Sequence, residues 1–194
     1  MKTEAQLARL LEQISHCQVC AGQLPFEPKP VLQVSTSAKI LIAGQAPGMK
    51  VQQTGIPFND PSGDRLRRWL GVSREQFYDP NLFAIMPMGF CYSGKGKSGD
   101  LPPRPECADK WRESLLALLP NIELTLVIGQ YALQYHLSSK QTVTEQVHAW
   151  RDVIPEYLPL PHPSPRNNRW LQKHLWFEQE VIPYLQQRVT KLIN

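Results

Sequence analysis

Short strands made almost wholly of apolar residues, alternating with helical segments, predict an α/β fold. The expected form is a three-layer α/β/α sandwich around a central, mainly parallel four-stranded sheet. Strands without a polar face must be buried on both sides, as a parallel sheet between two helical layers is. The 194 residues suit one domain spanning 1–194, at roughly 100–200 residues per domain.

The elements follow in order. Residues 3–16 carry Ala5, Leu7, Leu10, Leu11 and Ile14 at helical spacing. A Cys17-x-x-Cys20 turn and a segment punctuated by Pro25, Pro28 and Pro30 come next. Residues 38–43 (AKILIA) read as the first strand, stopped by Gly44-Gln45-Ala46-Pro47-Gly48. A loop to residue 63 leads into a short helix over 64–70, and the second strand falls at 82–86. Residues 89–105 are rich in Gly, Ser, Lys and Pro and form a loop; residues 106–119 return to helical spacing. Leu124–Ile128 is the third strand, ended by Gly129 and followed by a helix bearing Tyr131, Leu133 and Tyr135. Tyr157–Leu160 is the fourth, opening into Pro161-His162-Pro163-Ser164-Pro165-Arg166-Asn167. From about Asn168 one long amphipathic helix runs on, kinked near Pro183.

Composition excludes several classes. Five Trp, six Tyr and six Phe rule out a disordered chain. No apolar run approaches the ~20 residues of a membrane-spanning helix. The first residues, MKTEAQLARLLEQ, are amphipathic and carry acids, unlike a secretory signal. The expectation is a cytoplasmic monomer whose four cysteines are reduced or metal-bound. A net charge of +4 permits a nucleic-acid partner without requiring one. The 18 prolines are about 9% of the chain, against a usual ~5%. Ten of them stand in three loops: Pro47, Pro57 and Pro61; Pro102, Pro103 and Pro105; Pro159, Pro161, Pro163 and Pro165.

Two of these loops leave the carboxyl ends of predicted strands, where parallel sheets bind their ligands. In the first, the glycines of Gly44–Gly48 let a ligand approach the backbone closely, and Phe58 follows a proline. Its ring offers a stacking face to a planar base or else folds back into the core. In the last, prolines on both sides stiffen the path of His162, which suits a neutral hydrogen-bond donor to a departing anion or a buried structural role. Arg166 and Asn167, just before a helix, suit phosphate contact. The cysteines form two pairs, Cys17 with Cys20 and Cys91 with Cys107. Four thiolates hold a [4Fe–4S] cluster or tetrahedral zinc; otherwise they are a stray pair and two core residues.

Together and in this order, these elements resemble the uracil-DNA glycosylase superfamily over roughly residues 15–185. Gly44-Gln45-Ala46-Pro47-Gly48 resembles its first motif and His162-Pro163-Ser164-Pro165-Arg166-Asn167 its second. The stretch Gln53-Thr54-Gly55-Ile56-Pro57-Phe58 is similar to the single-strand-selective monofunctional branch. The cysteine spacing is similar to the iron–sulfur branch of bacteria and archaea. The resemblance implies a monofunctional DNA glycosylase of base excision repair. It would flip a damaged, deaminated base of the uracil type out of single- or double-stranded DNA and hydrolyse its N-glycosidic bond. Phe58 would stack on the base, and His162 would donate to the uracil O2 as charge develops. Gln45 and Ala46, with Pro47 and Gly48, would hold the base and the attacking water. Ser164, Pro165, Arg166 and Asn167 would meet the DNA, with Arg166 as a wedge. Cys17, Cys20, Cys91 and Cys107 would hold a structural [4Fe–4S] cluster, with zinc the alternative.

Two departures stand out. The superfamily places a carboxylate or Asn in the first motif where this chain has Gln45-Ala46, leaving Asp60 or Asp64 as substitutes. It also places an Asn near the end of the second core strand, where this chain reads Ile85-Met86-Pro87-Met88-Gly89-Phe90. Both departures favour the alternative of a weak or inactive member that binds nucleic acid without base release. A third class, a protein that processes free nucleotides, fits the α/β architecture alone.

Overall fold

The structure is a computed structural model that describes residues 2–97 and 99–194. Ser98, within the predicted 89–105 loop, lies outside the described residues. The chain opens with α1 (Lys2–Ser15) and reaches β1 (Ile40–Ala43) through an irregular, Pro-rich segment. Then come α2 (Met49–Thr54), α3 (Pro61–Leu70), α4 (Arg74–Tyr78) and β2 (Phe83–Ile85). After a long loop, α5 (Pro105–Cys107) passes through one π-helical turn (Ala108–Arg112) into α6 (Glu113–Leu116). The remainder is β3 (Leu124–Ile128), α7 (Gln130–Leu137), α8 (Val143–His148), β4 (Tyr157–Leu160), α9 (Asn168–Lys173) and α10 (Ile182–Ile193).

The four strands form one sheet in the order β2-β1-β3-β4, and every pairing is parallel. Alternate residues on each strand feed opposite layers. Ile40 and Ile42 pack with Leu66, Trp69 and Leu70 of α3 and with Leu185, Val189 and Leu192 of α10. Leu41 and Ala84 face the other way, against Leu7 and Ile14 of α1 and Leu115 of α6. Ala43 and Val127 pack on Ala132 and Leu133 of α7. This is the predicted three-layer sandwich. Each fully buried aliphatic side chain contributes roughly 1.5–3 kcal/mol, and burial on both faces is why the strands contain so little but Ile, Leu, Val, Ala and Phe. Pro159 sits in β4, an edge strand, where a missing N–H is tolerated.

Several elements depart from the expectations. The loop predicted from 44 to 63 contains α2, which ends at Gly55 in a left-handed conformation (φ 70°) with its N–H returning to the Val51 carbonyl. Helix α3 begins at Pro61 rather than residue 64, because Asp60 caps it by accepting from the Gly63 N–H at 2.9 Å. The C-terminal stretch is not one long helix: it is interrupted at His174, between α9 and the turn that leads into α10. A π-helical turn (Phe177–Val181) directly precedes Pro183, where a regular helix would need the N–H that proline lacks.

Candidate functional site

Beyond the carboxyl ends of β1, β2 and β4 lies a cavity of about 440 Å³. Gln45, Ala46, Pro47 and Gly48 line it from the loop after β1, and Phe58 from the turn before α3. His162, Ser164, Arg166 and Asn167 line it from the loop after β4. The two Pro-rich loops therefore converge on one site. Pro165 does not line the cavity; it opens the short 3-10 turn Pro165–Asn167.

Phe58 is held in the left-handed region, with φ 52°. Such a conformation persists in a bulky residue only where its surroundings impose it, and here they do. The Pro57 carbonyl accepts from the Tyr78 hydroxyl at 2.9 Å, and the Phe58 carbonyl sits so close to Gly63 that a Cβ there would lie 1.7 Å from it. Arg67, itself buried, stacks on the Phe77 and Tyr78 rings and reaches the Phe58 carbonyl at 3.5 Å. The Phe58 ring meets Phe77 edge-on and lies beside Gly44. The ring is thus both core-backed and cavity-lining.

His162 is fixed by its own loop. Its Nδ1 accepts from the Ser164 N–H at 3.2 Å, so the neutral ring carries its proton on Nε2. Burial, with Arg166 adding, pushes its pKa below the ordinary histidine value, although Asp60 and Asp100 pull the other way. It is therefore a neutral donor at pH 7. The Asn167 amide donates to the His162 carbonyl at 2.7 Å, closing the loop on itself. Arg65 of α3 clamps the same loop, donating to the Ser164 carbonyl at 3.1 Å and to Asn168 at 2.7 Å. Sequence reasoning missed Arg65, since nothing in its local pattern marks it.

Gln45 spends its amide nitrogen on the Leu101 carbonyl at 3.1 Å. Only an N–H can meet that carbonyl, so the amide oxygen is left as an acceptor. Of the two proposed substitutes for a first-motif carboxylate, Asp60 lines the cavity, while Asp64 does not and is paired with Arg67 at 2.5 Å. Arg166 lies across the mouth against Gly99, so close that a Cβ on that glycine would stand 2.7 Å from its guanidinium.

The end of β2 beside the cavity is braced by an arginine that no local sequence pattern marks. Arg112, wholly buried, donates to the Met86 carbonyl at 3.1 Å and the Pro87 carbonyl at 2.9 Å. Its Nη2 lies 2.8 Å from His136 Nε2. Burial and the neighbouring guanidinium push His136 down to about 3, so it stays neutral and accepts.

The four cysteines lie elsewhere, around a separate cavity lined by Cys17, Cys20, Cys91 and Cys107 together. All are free thiols. Burial raises Cys91 to about 11 and Cys107 to about 12, and the Cys107 sulfur accepts from the Phe90 N–H at 3.3 Å. The donor set suits a thiolate-bound metal centre, and the convergence of all four on one cavity fits it. Among the described residues, however, no three His, Cys, Asp or Glu are gathered as metal ligands are. The thiols share the cavity without closing on one point.

No helix among the described residues is long and apolar enough to cross a membrane. Residues 32–186 match the family model described as the Uracil DNA glycosylase superfamily. That stretch contains both converging loops, Cys91 and Cys107, and excludes Cys17 and Cys20.

Proposed function

The chain belongs to the Uracil DNA glycosylase superfamily, and from that premise we propose that it excises a damaged, deaminated base from DNA by hydrolysing the N-glycosidic bond. The observation that carries this reading is the pairing of a tautomer-locked His162 with Phe58 across one cavity. The base would be extruded from the strand, at a cost of a few kcal/mol, and stack on the Phe58 ring.

As the bond from C1′ to the base nitrogen breaks, its electron pair leaves with the base. His162 Nε2–H donates to the oxygen where that charge develops, and a neutral donor does so without first releasing a proton. Water adds to C1′, held by the Gln45 amide oxygen, and its proton passes to the Asp60 carboxylate and on to solvent. Arg166 contacts the DNA at the mouth and acts as the wedge, with Ser164 and Asn167 beside it.

Cys17, Cys20, Cys91 and Cys107 would hold a [4Fe–4S] cluster, with zinc the alternative. Such a centre would tie the end of α1 to α5 and take no part in base release. Protonated thiols must give up their protons to bind it. Anaerobically purified protein should be brown, with iron and sulfide near about four each per chain. Stoichiometric zinc without colour would refute the cluster, and metal-free protein from an anaerobic preparation would refute both.

A second reading is favoured by the run Met86-Pro87-Met88, which offers no side-chain amide at the end of β2. The chain would then bind nucleic acid without releasing a base. Single-turnover incubation with single- and double-stranded oligonucleotides carrying uracil, hypoxanthine or xanthine decides between them. The glycosylase reading expects an abasic product from at least one. No abasic product, with binding that weakens steeply as salt rises, supports the second reading.

A further inference from the structure

The buried part of the cavity lining is apolar almost throughout. Val31, Val51, Ile85 and Pro87 supply it, each buried. Among them lies Ser93, 6% exposed. Its hydroxyl is shut off from solvent and has no hydrogen-bond partner. Ser62, also buried in the lining, carries no such orphaned atom. A buried hydroxyl left unpaired costs free energy in the folded chain. At the wall of a ligand cavity, a bound molecule can supply the missing partner.

Ser93 is well fixed. It follows the run from β2 through Phe90, whose carbonyl accepts from the Val31 N–H at 2.7 Å. That run is anchored further back by Arg112 on the Met86 and Pro87 carbonyls. The hydroxyl therefore rides on a braced segment rather than on a free loop.

We propose that Ser93 is a base-binding residue whose hydroxyl meets the hydrogen-bonding edge of the bound base. The proposal rests on the reading of the cavity as a base pocket. A hydroxyl both donates and accepts. It meets a ring carbonyl by donating and an exocyclic amino group by accepting. The ligand class is thus a nucleobase presenting either group at that edge, and Ser93 holds uracil and cytosine with similar strength. Discrimination between them then falls to the leaving ability of the base rather than to this contact.

The test titrates wild-type and Ser93→Ala protein with free uracil and free cytosine by calorimetry. Thermal melting and single-turnover base release are followed alongside. The variant should lose about tenfold in affinity for both bases, the size expected for one hydrogen bond inside a pocket. The uracil-to-cytosine ratio should stay unchanged and the melting temperature should not fall, since removing an orphaned hydroxyl breaks no contact. Unchanged affinity, or a fall in melting temperature, overturns the proposal. If wild type releases a base and the variant matches it in rate and affinity, Ser93 alone is refuted. If the free bases bind in a Ser93-dependent way but none is released from DNA, the glycosylase reading fails and Ser93 stands. If wild type neither binds nor releases a base, both fall.

Discussion

Phe58 adopts a backbone conformation that costs a bulky residue on the order of 1–3 kcal/mol, and its neighbours hold it there. Gly63 is the tightest of them, since a Cβ at that position would lie 1.7 Å from the Phe58 carbonyl. Gly63→Ala should therefore destabilise the protein by about 1–3 kcal/mol in urea denaturation and push the Phe58 ring off the cavity wall. A variant as stable as wild type would show that the Phe58 turn is not constrained in this way. His162 carries a second prediction at this scale. Its pKa is lowered by burial, so it stays neutral as pH falls through the ordinary histidine value. Base release should show no loss from about pH 8 to about pH 6.5 that Ala substitution at His162 removes. A descending limb centred near 6.5 would mean that the ring titrates as if exposed.

At the scale of elements, two arginines hold loops to the sheet and helices. Arg65 couples α3 to the loop after β4 through Ser164 and Asn168. Arg65→Met keeps the stem and removes the clamp. Single-turnover base release should drop about tenfold through misplacement of His162, with little change in melting temperature. An unchanged rate would make Arg65 a surface contact only. Arg112 couples the turn before α6 to the end of β2, with His136 of α7 as its neutral acceptor. Because the folded-state pKa of His136 is depressed, the unfolded chain binds the proton first. Stability is then complete above about pH 6.5 and falls as pH drops toward 3, by at most roughly 1.4 kcal/mol per pH unit. His136→Gln keeps an acceptor that does not titrate, so its stability-versus-pH slope in that window should be shallower than that of wild type. Parallel slopes would refute the assignment.

The same scale shows what the sequence makes legible. β3 and β4 lie where their apolar runs predict, because Gly129 and Pro161 stop them sharply. β1 and β2 are shorter than predicted, since Lys39 at the edge of the first run bonds out of register to the Leu82 carbonyl. Helices α4 and α8 have too few residues for apolar periodicity, but their capping boxes, Ser73 with Gln76 and Thr142 with Glu145, are readable signals. The break at His174 was not readable, because Pro183 is the stronger local marker and a π-helical turn absorbs it. In the site, the proline and glycine pattern marks both converging loops. Ser93, Arg65 and Arg112 act only through contacts distant in sequence, so no local pattern reveals them.

For the whole molecule, the parallel sheet gathers three strand ends at one edge, and the proline-stiffened loops close a single cavity over them. The cysteine cavity lies apart, joining the end of α1 to α5. The proposed function turns on His162 Nε2–H stabilising the charge of a departing base. The most direct measurement compares single-turnover base release by wild type and His162→Ala on the best oligonucleotide substrate, with DNA affinity measured for both. Loss of one such donor typically costs about 10²–10³-fold in rate, so a drop of that size is expected, with DNA affinity little changed. Equal rates in the two proteins would contradict it.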